Sequence, residues 1–95
     1  MRRAARTDAN QQAVVDALRA AGASVWIIGL PVDLIAGKNG ATVLIEVKTL
    51  IGKRKPKAAK YTQLQRDFMA DWRGGPVVTV TDVESALRAI ETLKG

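Results

Sequence analysis

Between Pro31 and Lys48 the chain reads PVDLIAGKNGATVLIEVK, two strand-forming runs flanking Lys38-Asn39-Gly40. Asn-Gly between alternating apolar segments is the strongest short-range signal for a β-hairpin, because both residues tolerate the positive φ of a type I′ turn. No other stretch constrains the fold as tightly, since turn and alternation together set the register. With Asn39 and Gly40 as the turn, Lys38 faces Ala41, Ala36 faces Val43, Ile35 faces Leu44, and Asp33 falls opposite Glu46. Alternation then puts Lys48 on the face of Glu46 and directs Val43, Ile45 and Val47 to the core side.

That register has a chemical consequence. Directly opposed side chains have Cβ atoms about 4.5–5.5 Å apart, and two carboxylates that close repel unless a cation lies between them. Oxygen ligands suit Mg²⁺ or Mn²⁺, for which one or two carboxylates plus waters and phosphate suffice. The array of Asp33, Glu46 and Lys48 therefore suits metal-assisted hydrolysis of a phosphodiester, with Lys48 orienting the attacking water or neutralising charge in the transition state. The plainer reading is polar-out alternation on a half-exposed strand, with Asp33 a turn residue after proline.

The 95 residues suit one domain, 1–95, with a modest core. The chain contains neither cysteine nor histidine, so disulfides, thiolate zinc sites, histidine metal sites and a histidine general base are all excluded. Any metal must rest on Asp, Glu, backbone carbonyls and water. No apolar run approaches the ~20 residues that span a bilayer, and the N-terminus lacks the apolar core of a signal peptide, so a cytoplasmic protein away from the membrane is expected. The net charge of +6 is uneven. Arg2, Arg3 and Arg6 lie in a basic tail (1–7), and Lys53, Arg54, Lys55, Lys57 and Lys60 in a basic loop (49–61). Clustered cations beside a phosphodiester site point to a nucleic-acid backbone; a basic tail alone also serves solubility.

The rest of the chain supplies the other elements. A helix is expected from about Asp8 to Ala21, with Val14, Val15 and Leu18 as its apolar stripe, Thr7 or Asp8 as cap and Gly22 as its end. A strand follows from about Ser24 to Ile28, whose Trp26 either faces DNA or, as is usual for an aromatic in an apolar strand, enters the core. Tyr61 either stacks on a base or closes the following helix. That helix runs from about Thr62 to Trp72, with a Thr62-x-x-Gln65 capping box and Leu64, Phe68 and Trp72 as its buried face. Gly74-Gly75-Pro76 breaks it, and Pro76–Val80 reads as a strand buried on both faces. Thr81 and Glu84 form a second capping box, opening a helix with Val83, Ala86, Leu87, Ile90 and Leu93 on its apolar side. The order α-β-β-β-α-β-α predicts an α/β fold, one mixed sheet with helices on its faces, the last strand beside the Glu46 strand and the 62–72 helix as crossover.

Asp33, twelve intervening residues, then Glu46-Val47-Lys48 resembles the PD-(D/E)XK nuclease signature. The segments PVDLIAG, VLIEVKT, TQLQRDFMADW and GPVVTV are similar to small phage-type VRR-NUC (virus-type replication-repair nuclease) domains, over nearly the whole chain. One departure is the order Pro31-Val32-Asp33, with the proline one residue early. The resemblance implies a restriction-endonuclease-like core and Mg²⁺- or Mn²⁺-dependent, structure-directed endonuclease action on DNA in replication, repair or recombination, in the cytoplasm of a prokaryotic or phage-infected cell. It implies a metal held by Asp33, Glu46 and the Val47 carbonyl, Lys48 as the catalytic cation, and Gln65 directed into the active site as an alternative to its capping role. It also implies a further acidic residue on the first helix, with Asp8, Asn10 and Asp16 as candidates and Asn10 favoured by position, although its amide brings no charge. A homodimer is expected, supported by the apolar Trp26, Ile28, Leu30, Leu50 and Ile51, as is a replication or repair partner. A non-catalytic DNA-binding module and a protein-interaction domain are the alternatives.

Overall fold

A computed structural model describes residues 9–48 and 61–93. The elements follow the predicted order: α1 (Ala9–Ala20), β1 (Ser24–Ile27), β2 (Leu34–Lys38), β3 (Ala41–Val47), α2 (Gln63–Asp71), β4 (Val77–Val80) and α3 (Val83–Glu91). The four strands form one mixed sheet in the order β1-β2-β3-β4, with β1-β2 and β2-β3 antiparallel and β3-β4 parallel. This is a small α/β fold with its sheet flanked by helices. The parallel step is possible because α2 intervenes between β3 and β4.

The hairpin forms in the expected register: Lys38 pairs with Ala41, Ala36 with Val43, Ile35 with Leu44 and Leu34 with Ile45. Asn39 and Gly40 both take positive φ, 55° and 82°, as a type I′ turn requires. Lys38 has a further task, donating from Nζ to the Ala21 carbonyl at 2.9 Å and so capping the end of α1.

One face of the sheet carries the core. Val25, Leu34, Ala36, Val43, Ile45 and Val80 point there and meet Val14, Val15 and Leu18 of α1 and Ala86 and Ile90 of α3. The expected stripe is buried at Val43 and Ile45, while Val47, at the strand end, is half-buried. β4 is half-buried except at Val80, rather than enclosed on both faces, because it forms one border of the described sheet. The last helix is capped one residue later than predicted. Asp82, not Thr81, is the N-cap, accepting from Ser85 N while Ser85 Oγ accepts from Asp82 N. A carboxylate makes the stronger, charge-assisted cap, and it holds the Asp82 carboxyl below its ordinary value.

The loop before β4 approaches β3 closely. A Cβ on Gly75 would collide with the backbone carbonyl oxygen of Thr42, an atom that moves only with its strand. Gly75→Ala is therefore expected to destabilise the fold by about 2 kcal/mol, the usual cost of forced backbone shifts. Urea unfolding checks this; an unchanged midpoint would contradict the close approach.

Candidate active site

The second face of the sheet is polar at one end. Asp33 lies just before β2, and its backbone continues the β1-β2 pairing, its carbonyl accepting from Ile28 N at 2.8 Å and Gly29 N at 3.2 Å. Val32 is fully buried, which accounts for the displaced proline: the extra residue turns inward and the aspartate stays on the open face. Pro31, which follows a cis peptide bond, offers its carbonyl to Gln65 Nε2 at 3.1 Å.

The three predicted residues meet. Asp33 Oδ2 accepts from Val47 N at 2.8 Å, and the Asp33 carboxyl is close enough to Glu46 to feel its charge. Lys48 Nζ lies 3.0 Å from Glu46 Oε2. Glu46 is only 6% exposed, and its Oε1 is buried without a donor among the described residues. An unsatisfied buried carboxylate oxygen is costly and rare in folded proteins. Burial pushes the Asp33 carboxyl up from the ordinary 3.8, and the Glu46 charge adds to this, against the lowering effects of Val47 N–H and Lys48.

Backbone geometry directs one more oxygen here. Leu44 N and Lys48 N bond toward β4, at Pro76 O and Val80 O. Peptide edges alternate along a strand, so the N–H and C=O of Val47 point the other way, toward Asp33. Among the described residues no three Asp, Glu, His or Cys side chains gather. A cation here would rest on two carboxylates and the Val47 carbonyl, and such a hard-oxygen set suits magnesium.

Gln65 takes the capping role and more. It is buried; its N–H donates to Thr62 Oγ1 at 3.1 Å, its Oε1 accepts from Thr62 N at 3.1 Å, and its Nε2 binds Pro31. It thereby ties α2 to the segment carrying Asp33, as a positioning residue. Tyr61 stands beside the site, its hydroxyl 2.6 Å from Thr79 Oγ1 and its ring centre 5.5 Å from Lys48 Nζ. Neither role expected for Tyr61 included this contact, which aligns the lysine by cation–π attraction. Asn10 uses its Nδ2 on the Thr81 carbonyl at 3.1 Å, pinning α1 to the turn before α3.

Two expectations of burial fail. Trp26 is 73% exposed, and Leu64 and Trp72 are exposed, with Phe68 half-buried. On α2 the buried residue is Gln65; Leu64 and Phe68 instead line an open groove of about 510 Å³ with Leu30 and Pro31. The cations of residues 1–7 and 53–60, together with Asp8, Leu50 and Ile51, lie outside the described residues.

No helix among the described residues is long and apolar enough to cross a membrane. Comparison with protein-family profiles, characterised proteins and solved structures finds no match to this chain.

Proposed function

We propose that the chain is a divalent-metal-dependent DNA endonuclease with a restriction-endonuclease-like core, of the kind the Asp33…Glu46-Val47-Lys48 pattern resembles. The observation that carries this reading is the pairing of a buried, donor-less carboxylate oxygen on Glu46 with a second carboxyl, Asp33, and a lysine. A purely structural Glu–Lys pair does not call for a second carboxyl beside it: the bond Asp33 accepts from Val47 N is one an uncharged side chain would make without the repulsion. A cation resolves the repulsion and satisfies Glu46 Oε1.

Asp33, Glu46 and the Val47 carbonyl would hold Mg²⁺ or Mn²⁺. Such an ion supplies charge neutralisation on the phosphate and lowers the pKa of a water. Lys48 supplies hydrogen-bond donors and positive charge where the pentacovalent transition state gathers negative charge. The Tyr61 ring faces the Lys48 Nζ, and Gln65 ties α2 to the Asp33 segment through Pro31. Water attacks phosphorus, the ester P–O bond breaks, and the leaving oxygen takes a proton. In the alternative reading, a DNA-binding module with the same fold, the acid pair has no task.

The test is nicking of supercoiled plasmid and of flap-bearing oligonucleotides in magnesium, with a chelator as control. Cleavage that stops on chelation is expected; intact DNA in both magnesium and manganese would overturn the reading. Binding is expected to depend steeply on salt. If about four phosphates are neutralised, log K falls with log salt at a slope of about −3 to −4 on duplex DNA. Neutralising Lys53, Arg54, Lys55 and Lys57 together should flatten that slope in an anisotropy titration, and a flat wild-type response removes the basic loop from the interface.

A further inference from the structure

We infer that Trp26 is a stacking platform for an unpaired nucleobase next to the scissile phosphate, so that the substrate is DNA with a single-stranded segment at the cut. This rests on the nuclease reading above and adds the class of substrate.

The register places Trp26 on the face of the acid pair. Trp26 pairs with Ile35, Ile35 with Leu44 and Leu44 with Val77, a row that crosses all four strands. Two residues further along the strands, Asp33, Glu46 and Thr79 form the next row on the same face. With strands about 4.8 Å apart and a rise of about 3.4 Å per residue, the Cα of Trp26 lies about 8 Å from that of Asp33 and about 12 Å from that of Glu46. The indole therefore stands within reach of a nucleotide neighbouring the one whose phosphate sits at the carboxylates.

The row is covered unevenly. Leu44 is 5% exposed, Ile35 is half-buried and Trp26 is 73% exposed. A large aromatic ring left open beside a phosphate-handling site matches the aromatic platforms of single-strand-binding proteins, where stacking accepts any base because every base has a π-face. The chain's net charge of +6, which comes from the basic segments 1–7 and 53–60, favours a polyanion over a neutral partner.

A second copy of the chain is the competing occupant. Strand-edge pairing through β1 is blunted, because Arg19 Nη2 donates to the Val25 carbonyl at 2.9 Å. Val25 lies between the hydrogen-bonded pairs that Ile28 and Asp33 continue, so that carbonyl points away from β2 and is the one a partner strand would need.

The experiment measures binding and cleavage separately. In the Lys48→Ala background, with magnesium, an oligonucleotide with a duplex–single-strand junction is titrated by anisotropy. Trp26→Ala is expected to weaken binding about 5- to 100-fold and Trp26→Phe much less, the range found for loss of one base stack. An abasic residue at the stacked position should weaken binding to Trp26-containing protein by a similar factor and have no effect on Trp26→Ala. In the otherwise wild-type chain, the same substitution should slow cleavage of the junction far more than of fully paired duplex. Equal affinity of Trp26→Ala and its parent, with no abasic effect, overturns the inference. So does light scattering that shows a dimer dissociated by Trp26→Ala. Junction binding that depends on Trp26 without any cleavage by the wild-type chain would keep the platform and sink the nuclease reading.

Discussion

Lys48→Ala is expected to reduce magnesium-dependent DNA cleavage by about 10²- to 10³-fold, the usual cost of removing one preorganised donor to transition-state charge. The lysine Nζ is held from two sides, by Glu46 Oε2 at 3.0 Å and by the Tyr61 ring. It is about one-third exposed, so an incoming phosphate can reach it. Because it adds only one of several charges to the protein, DNA affinity should fall by a few-fold at most. A loss of cleavage without a matching loss of binding separates a catalytic lysine from one more phosphate contact. Lys48→Ala also leaves Glu46 buried without its cation, at a cost of about 1–2 kcal/mol, below that of a fully buried pair because Lys48 reaches solvent. Circular dichroism melts identify that cost, and assays well below the melting temperature keep it apart from catalysis. Glu46→Gln, which retains the shape of the buried side chain, should lose cleavage as well. If either variant cuts at the wild-type rate, the hairpin face is structural only.

Asp33→Asn is expected to raise the stability of the metal-free protein while abolishing magnesium binding. The asparagine Oδ1 can still accept from Val47 N, so the hydrogen bond at 2.8 Å survives. The other carboxylate oxygen becomes an NH₂ group, turning a repulsion toward Glu46 into a donor. A gain of about 0.5–1 kcal/mol corresponds to about 2–8 °C in a domain of this size. The pH dependence follows from the direction of the Asp33 shift. Its folded carboxyl titrates above the ordinary 3.8 because it is buried beside Glu46. Between that ordinary value and the raised one, the folded state holds more protons than the unfolded state, so stability rises as pH falls through this window and is lost on returning to neutral pH. The melting-temperature gap between Asp33→Asn and wild type should therefore be widest at pH 7 in chelator and close on acidification. Magnesium should reverse the order at pH 7, stabilising the wild type alone. A clear loss of metal-free stability in Asp33→Asn would assign Asp33 a structural hydrogen-bonding role.

The hairpin was legible because its determinants are local. Asn39-Gly40 sets the turn, alternation sets the faces, and with a two-residue loop there is no freedom left in the register. The meeting of Asp33 with Glu46 follows from that register and needs nothing remote. The parallel placement of β4 beside β3 was also readable, since a helix of suitable length separates them. The cap of α3 was misplaced because Thr81 and Asp82 both satisfy the local rule. Gln65 was ambiguous between cap and site, and both its capping bonds and its bond to Pro31 are present.

The sequence by itself determined the order of elements, the hairpin register and the face on which Asp33, Glu46 and Lys48 stand, all consequences of turn chemistry and a two-residue period. Tertiary structure alone decided what covers that face. α2 is tied to Pro31 at its start, through Gln65, and to Gly75 near its end, where Trp72 Nε1 donates to the Gly75 carbonyl at 2.7 Å. Leu44 is buried and Trp26 left open, although both belong to one apolar row: β3 lies between two strands, whereas β1 forms one border of the described sheet. Local propensity treats the two alike; only the order of the strands in the sheet makes one of them core and the other surface.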